Sequence, residues 1–247
     1  MPTPLTICTF NLQSGVATTG GIWNYFTTIW KYWLPHSDEP LIKAGEMMKR
    51  EGVDLGFLVE VSGPSLQSGY KIQNDIVGDA AKLDQRQFYT MKKPRRITQE
   101  GLGFISRYPL SNPKIHPLSR GILTWYLVEA TLDMNGKKAT LFLAHNALGP
   151  KVRAKQFREI ADIIRDRKGP IILAGDFNEA KEGPFEMLLR ETPLTQVYGA
   201  KSFPSWKPRG AFDRILFSKE FKITEHYMPK HELVSDHLPY IVKAELE

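Results

Sequence analysis

The chain has 247 residues, of which 42% are hydrophobic and 24% charged, and its formal net charge is +6. This length supports one large domain or two small ones with a full core, and the positive charge weakly favours anionic partners. The sequence shows no signal-peptide pattern and no run of about 18 apolar residues, and the lone Cys8 excludes an internal disulfide, so we expect a cytoplasmic protein.

Eight short apolar runs, each followed by polar or turn residues, predict β-strands. Helical periodicity predicts three helices between them, and Asn135-Gly136 predicts a tight hairpin. Because no repeat, low-complexity tract or linker interrupts the pattern, we expect one α/β domain over residues 1–247. The predicted strands are 5–11, 53–61, 102–106, 123–132, 139–145, 170–176, 212–217 and 238–246, and the predicted helices are 39–51, 151–167 and 185–190.

An aromatic segment, residues 20–35, follows the first predicted strand and holds three of the five tryptophans. Its apolar residues recur at helical spacing, which predicts a helix of about twelve residues over 22–33, too short to span a bilayer. Such a stripe either packs on the core or meets a lipid or nucleobase surface. Tyr25 and Tyr32 lie off the stripe, and we expect solvent to reach them. The stripe consists of Trp23, Phe26, Trp30 and Trp33, widened by Ile22 and Ile29.

Several predicted strands end in residues suited to metal binding or proton transfer. Asn11 closes the first strand, Glu60 the second and His145 a middle one. Asp176 and Asn178 follow a later strand and are separated by one residue, so on extended backbone both point to the same face. This pattern predicts a set of polar groups at one edge of a sheet.

The end of the chain adds Asp213 and the pair Asp236-His237. An Asp that reaches a His fixes the tautomer of the imidazole and raises its basicity. The oxygen-rich set of Asn, Asp and Glu residues suits Mg²⁺ or Mn²⁺ better than zinc, which draws more on Cys and His.

Taken together and in this order, the motifs resemble those of the endonuclease/exonuclease/phosphatase superfamily of metal-dependent phosphoesterases. The resemblance implies a four-layer α/β/β/α sandwich with two mixed β-sheets packed face to face. One motif alone is weakly specific, but the ordered set covers nearly the whole chain. The motifs are TFNLQ around Asn11, FLVEV around Glu60, GLGFISRYPL from Gly101, LAHNALG around His145, GDFN from Gly175, FDRILF around Asp213 and SDHLP ending at Pro239.

The same resemblance implies a divalent metal ion, Mg²⁺ or Mn²⁺, held by Asn11 and Glu60, with Glu60 as the direct carboxylate ligand. Asp236 is expected to be a second-shell or second-metal ligand. Asp176 and Asn178 are expected to position the attacking water and the phosphate.

The two histidines complete the expected machinery. His237, oriented by Asp213, is expected to be the general base or a phosphate-contacting imidazole. His145 is expected to donate to the phosphoryl oxygen or to the leaving group. Arg153 and Gln156, one helical turn apart, fit either phosphate contact or helix packing, and the basic cluster 91–96 fits either a polyanion cradle or a solvated loop.

Three functions remain open from the sequence. The leading one is a Mg²⁺-dependent phosphodiesterase that acts on nucleic acid, as a monomer. The second is a phospholipid or sphingolipid phosphodiesterase, or a lipid or inositol phosphatase, in which the Trp23 to Trp33 helix meets a membrane surface. The third is a catalytically silent binding module, which the complete set of motif residues disfavours.

Overall fold

The computed structural model describes residues 2–90, 96–120, 125–197, 201–229 and 233–247. These ranges contain twelve β-strands and five α-helices. The helices α1 to α5 span Asn24–Thr28, Glu39–Arg50, Gln73–Ala81, Pro150–Ile164 and Glu182–Glu191. None of the described helices is long and apolar enough to cross a membrane.

The strands form two six-stranded sheets. The strands β1 to β12 span Thr3–Asn11, Leu55–Ser62, Gln85–Thr90, Glu100–Ser106, Leu110–Leu118, Trp125–Met134, Lys137–His145, Ile171–Asp176, Leu194–Gln196, Asp213–Ser218, Phe221–Tyr227 and Tyr240–Leu246. The first sheet has the order β11-β12-β1-β2-β4-β3, and the second has the order β5-β6-β7-β8-β10-β9. Both sheets are mixed, because β1 is parallel to β2 and β7 is parallel to β8 while the other pairs are antiparallel.

The two sheets pack face to face and share one buried core. Ile7 and Phe57 of the first sheet belong to the same apolar cluster as Leu141 and Ile172 of the second. A separate cluster joins the opposite face of the first sheet to α2 and α3. These contacts confirm the predicted α/β/β/α sandwich.

Helices α4 and α5 cover the other face of the second sheet. Phe157 of α4 and Phe185 of α5 make edge contacts with each other, and both contact Phe177, which directly follows β8. The alternation of side chains along each strand therefore divides the apolar residues between an inner core and a helix layer.

A β-bulge in β2 turns Glu60 towards the seam between the sheets. Val59 belongs to the inner core and Val61 to the cluster under α2 and α3, although residues two apart on a regular strand share one face. The register of β2 against β4 shifts between these two valines, and Glu60 has a φ of 51°. Glu60 is thus the extra residue of the bulge, and bulges re-aim side chains in this way.

The predicted elements are present, with small differences at their ends. All eight predicted strands occur, and helices 39–51, 151–167 and 185–190 correspond to α2, α4 and α5. Residues 123–124 of one predicted strand lie outside the described residues. The hairpin prediction is confirmed, since β6 and β7 pair across Asn135-Gly136, where both residues have positive φ.

The prediction missed five elements, namely α3 and the strands β3, β5, β9 and β11. Each of these strands lies at an edge of its sheet. An edge strand leaves part of its surface in water, so it carries no continuous apolar run for a sequence pattern to detect. Helix α3 has a Gly in its last turn and too little apolar periodicity to stand out.

The predicted helix over 22–33 is shorter and less regular than expected. Helix α1 has five residues and continues into a 3-10 helix over Ile29–Tyr32. The basic cluster 91–96 lies outside the described residues except for Arg96.

Candidate active site

Three neighbouring strands of the second sheet carry polar side chains at the same edge, where β7 and β8 end and β10 begins. The register pairs His145 of β7 with Asp176 of β8, and pairs Asp176 with Asp213 of β10. His145 Nε2 lies 3.9 Å from Asp176 Oδ2. Because paired residues on adjacent strands point to the same face, the register alone brings these groups to one edge, facing the first sheet.

Gly175 allows β8 to approach β7 at this edge. Its φ is 138°, and a Cβ at this position would lie 1.9 Å from the carbonyl oxygen of Ala144. No other residue type fits between these two strands without displacing one of them. The Gly-Asp pair in the sequence is therefore a steric requirement for placing Asp176.

His237 is oriented by Asp213. His237 Nδ1 lies 2.7 Å from Asp213 Oδ2, both side chains are buried, and His237 Nε2 lies 3.8 Å from Asp176 Oδ2. Burial opposes the charged form of the imidazole, but the nearby carboxylates of Asp213, Asp176 and Asp236 outweigh it and raise the pKa of His237 to about 10. The surrounding carboxylates therefore favour the cationic form of His237, whose Nε2 faces Asp176.

Asn11 joins a carboxylate of each sheet. Its Nδ2 donates to Glu60 Oε1 at 3.0 Å and to Asp176 Oδ2 at 3.1 Å, and its Oδ1 accepts from the backbone N–H of Gln13 at 3.0 Å. The amide nitrogen thus faces the carboxylates. Ligation of a cation by Asn11 would require the opposite orientation of the amide, which would lose the bond from Gln13.

Glu60, Glu100 and His145 form a cluster with ligand atoms within 4.8 Å of one another. Burial, followed by the repulsion of Glu100 and of Asp236, raises the pKa of Glu60 to about 8. Two carboxylates held this close repel each other, and a divalent cation between them removes the repulsion. The donor set of carboxylate oxygens and one imidazole fits a divalent cation, so the chemistry of the cluster supports a metal site.

Asp236 is held by the aromatic segment. The hydroxyl of Tyr25 donates to Asp236 Oδ2 at 2.7 Å, and Asp236 is mostly buried beside His237. Burial raises the pKa of Asp236, and burial together with the Asp236 carboxylate raises the pKa of Tyr25. Gln13 Nε2 donates to the hydroxyl of Tyr32 at 2.9 Å, so a second tyrosine of the segment supports the Asn11 loop.

Asn178 is fixed by two hydrogen bonds. Its backbone N–H donates to Asp176 Oδ1 at 2.8 Å, and its Nδ2 donates to the carbonyl oxygen of Asn146 at 2.9 Å. Its φ of 51° is a left-handed conformation that Asn adopts more readily than most residues. The same turn therefore positions both Asp176 and Asn178.

Arg153 and Gln156 support the loops around the site. Arg153 pairs with Glu179 at 2.7 Å and donates to the carbonyl oxygens of Ala147 and Leu148. Gln156 Oε1 accepts from the backbone N–H of Ala147 and from the side chain of Asn146. The sequence left phosphate contact and helix packing open for these two residues, and their contacts agree with packing.

These side chains surround one cleft of about 300 Å³. Its lining combines carboxylates and two imidazoles with apolar and aromatic side chains, and the rings of Trp125 and Phe203 contact those of His145 and His237. The lining residues are Glu60, Glu100, Trp125, His145, Leu148, Asp176, Asn178, Phe203, Phe212, Asp236 and His237. The cleft therefore offers cation ligands next to apolar side chains.

Comparison with protein families matches residues 8–237 to the Endonuclease/Exonuclease/phosphatase family. The chain belongs to this family. Its members are metal-dependent phosphoester hydrolases, and this chain is an enzyme of that class. No curated protein matches the chain significantly.

Solved structures of the endonuclease/exonuclease/phosphatase family have the same fold. A family member from Bacteroides vulgatus is 15% identical with a TM-score of 0.76 and coverage of 99% of this chain and 100% of the other. A mannosyl-6-phosphatase of Bacteroides thetaiotaomicron is 15% identical with a TM-score of 0.72 and coverage of 97% and 99%. A beta toxin variant of Staphylococcus aureus with bound magnesium ions is 16% identical with a TM-score of 0.68 and coverage of 99% and 100%.

All eight site residues predicted from the sequence converge at this cleft. Six of them line it, while Asn11 and Asp213 lie behind the lining and hold its members by hydrogen bonds. The individual roles of these residues remain predictions. The lining six are Glu60, His145, Asp176, Asn178, Asp236 and His237.

The sequence analysis missed Glu100 and the contacts that two tyrosines make with the site. Glu100 is the first residue of β4, directly before the motif that begins at Gly101, and its pairing with Ser62 brings it beside the Glu60 bulge. Tyr25 and Tyr32, which we expect solvent to reach, are half-buried, and their hydroxyl groups bond to Asp236 and Gln13. The exposed face of the segment is the stripe of Trp23, Phe26, Trp30 and Trp33, because the tyrosine hydroxyl groups bond to residues of the site.

Proposed function

We propose that the chain is a Mg²⁺-dependent phosphodiesterase, with Mn²⁺ as an alternative ion. The observation that carries the proposal is the pair of adjacent clusters at one cleft, Glu60 with Glu100 and His145, and Asp176 with Asp213 and His237. The magnesium ions in the structurally similar beta toxin support the choice of metal. Hard cations of this kind take oxygen ligands.

Glu60 and Glu100 would hold the proposed metal, and the nearby Asp236 carboxylate would interact with the charge of the ion. When bound, it neutralises negative charge that develops on the phosphoryl oxygens. Asn11 contributes by fixing the orientation of Glu60 through its amide. The two sheets thus supply complementary halves of the site.

The remaining residues position the substrate and move the proton. His237 is cationic because of its raised pKa, so its Nε2–H donates to a phosphoryl oxygen. Asp176 is then the group that accepts the proton of the attacking water, held between Asn11 and His237. Asn178 and His145 flank the phosphate, with His145 donating to an oxygen.

Hydrolysis of bis-p-nitrophenyl phosphate with and without Mg²⁺ tests the proposal. We expect metal-dependent turnover that Asp176→Asn lowers by about 10²- to 10⁴-fold, since the proton acceptor is lost. Asp84→Asn is the matched control, because Asp84 is almost fully exposed and outside the cleft. Turnover that is equal in both variants, or absent with both Mg²⁺ and Mn²⁺, would contradict the proposal.

The substrate is proposed to carry an apolar or aromatic group next to its phosphoester. Trp125, Phe203 and Phe212 line the cleft, and aromatic rings of this kind stack on nucleobases, which supports a nucleic-acid substrate together with the net positive charge. A phospholipid diester is the second candidate, and the exposed tryptophans beside the cleft favour it. Assays of single-stranded DNA, RNA and phospholipid vesicles against His237→Ala distinguish the two.

A further inference from the structure

A large apolar surface lies on the aromatic segment. Seven of the twelve exposed large hydrophobic side chains among the described residues fall within residues 22–34. Their exposed fractions run from 45% at Trp30 to 78% at Trp23. Isolated exposed apolar side chains are ordinary, but a contiguous patch of this kind marks an interaction surface. The aromatic rim consists of Ile22, Trp23, Phe26, Ile29, Trp30, Trp33 and Leu34.

The rim is held firmly from behind. Tyr25 donates to Asp236, the Thr28 hydroxyl lies 2.9 Å from that of Thr18, and Lys31 Nζ donates to the carbonyl oxygen of Val16 at 3.0 Å. Thr28 is buried. These polar contacts fix which side of the segment faces the protein, so the apolar face is presented outward as a formed surface.

The charge around the rim is positive. Residues 20–37 contain no Asp or Glu, and their one Lys or Arg, Lys31, is turned inward to the carbonyl oxygen of Val16. The neighbouring loop adds Lys207 and Arg209, both exposed and neither in an ion pair with another described residue. An apolar face bordered by cations is complementary to an acidic lipid bilayer, whose acyl chains accept apolar side chains and whose headgroups carry negative charge.

A groove connects the rim to the active-site cleft. It has a volume of about 480 Å³ and lies between α1 and the loop that carries Trp206, where the rings of Tyr25 and Trp206 meet edge to face at 6.0 Å. Phe203 lines both this groove and the cleft, and its ring lies 4.8 Å from that of His237. The groove is therefore lined at one end by Ile22 of the rim and at the other by Phe203, which also lines the cleft.

We propose that the aromatic rim docks onto an anionic lipid bilayer and brings the mouth of the cleft to the membrane surface. The consequence that the enzyme cleaves a lipid phosphodiester there rests on the proposed function, whereas docking itself does not. The exposed cations Lys207 and Arg209 and the net charge of +6 favour an anionic bilayer over a second copy of this basic chain, and the groove gives a path from the rim to the cleft. A bilayer places phosphoester groups at that path.

Vesicle co-sedimentation in EDTA tests docking separately from catalysis. The probes are vesicles of phosphatidylcholine alone and vesicles in which about one third of the lipid is phosphatidylglycerol. We expect wild type to prefer the anionic vesicles and Trp23→Ser/Phe26→Ser to bind them at least about tenfold more weakly, since both side chains lose apolar contact. Ile42→Ser/Ile115→Ser is the matched control, because it removes exposed apolar residues outside the rim.

A second variant, Lys207→Ala/Arg209→Ala, tests the role of charge. It should lose most of the preference for anionic vesicles while retaining the salt-independent part of binding. Circular dichroism and turnover of bis-p-nitrophenyl phosphate report whether each variant is folded. Full turnover of this small substrate by the rim variant, together with lost vesicle binding, is the expected combination.

Several outcomes overturn the docking proposal. Equal vesicle binding by wild type and the rim variant is one, and no binding by wild type is another. A rim-dependent dimer in sedimentation velocity, or rim-dependent binding of single-stranded DNA without vesicle binding, would assign the surface to a second copy or to nucleic acid. Vesicle binding without any metal-dependent turnover would instead contradict the proposed function and leave docking intact.

Discussion

At the scale of single residues, the site depends on how each carboxylate is held. Asp213 makes its bond to His237 in a buried setting, and Asp176 is bound by Asn11 on one side and by the Asn178 backbone on the other. Rotating either carboxylate would break a buried hydrogen bond, and leaving its partner unsatisfied costs about 1–3 kcal/mol. The residues are therefore positioned before substrate arrives, which is what electrostatic catalysis requires.

Asp213→Asn should shift the pH dependence of turnover. In the wild type burial lowers the pKa of His237, but the carboxylates of Asp213, Asp176 and Asp236 together outweigh burial and raise it to about 10, with Asp213 contributing most. Without the Asp213 carboxylate the same burial favours the neutral imidazole, and the pKa falls. Turnover should drop by about 10²- to 10⁴-fold near neutral pH and should decline as pH rises through the lowered value.

The measurement is a pH–rate profile together with NMR titration of the His237 imidazole. Asp84→Asn serves again as the control for an exposed carboxylate. An unchanged His237 titration in Asp213→Asn would show that the raised pKa has another source.

Glu100 shows why sequence alone gave an incomplete site at this scale. Asn11, Glu60, His145 and Asp176 each end an apolar run, so their positions on strand ends follow from the pattern. Glu100 begins a strand instead, and only the pairing of β4 with β2 beyond the bulge brings it to Glu60. Cross-strand register of this kind depends on the whole sheet.

At the scale of elements, the parallel pair β7 and β8 sets the geometry of the second sheet's half of the site. Their register places His145 beside Asp176, and Gly175 permits the close approach. The eight interior strands could be predicted because each is buried on one or both faces, whereas the four edge strands could not. Because the chemistry lies on interior strands, the missed edges did not obscure the site.

Gly175→Ala should destabilise the fold and impair catalysis together. A Cβ would lie 1.9 Å from the Ala144 carbonyl oxygen, and Gly175 has a positive φ, so either β7 or β8 must move. We expect the free energy of unfolding to fall by about 3 kcal/mol and turnover to fall beyond the loss of folded protein, since Asp176 shifts.

Chemical denaturation and turnover per folded molecule measure the two effects. Gly149→Ala is the matched control, because a Cβ there meets no atom within 4 Å and its φ is −70°. A Gly175→Ala variant as stable and as active as Gly149→Ala would contradict the steric argument.

At the scale of the whole molecule, the site lies across the seam between the sheets. Asn11, Glu60 and Glu100 come from the first sheet, while His145 and Asp176 come from the second. Without a metal, this seam gathers buried carboxylates, and burial together with repulsion by Glu100 and Asp236 raises the pKa of Glu60. The inner core must offset that cost, which is a common compromise at active sites.

Mg²⁺ should therefore stabilise the whole protein, and more strongly as pH rises. Burial and the neighbours Glu100 and Asp236 raise the pKa of Glu60 from 4.5 to about 8. Between these pH values the unfolded chain has lost the Glu60 proton while the folded state still binds it, so the metal-free fold loses stability as pH rises. Above the pKa of Glu60, a bound cation neutralises the cluster. At a Mg²⁺ concentration about a hundredfold above its dissociation constant, the melting temperature should rise by about 5–10 °C.

Glu60→Gln separates the electrostatic cost of the site from its metal-binding role. Without the Glu60 carboxylate, the metal-free variant should melt above metal-free wild type at pH values above about 8, and Mg²⁺ should no longer shift its melting temperature. Thermal melts with Mg²⁺ or EDTA, run across the pH range and repeated with Asp84→Asn, provide the comparison. A full Mg²⁺ response in Glu60→Gln would place the cation elsewhere, because this variant removes the carboxylate charge while keeping the side chain's size and its hydrogen-bonding capacity towards Asn11.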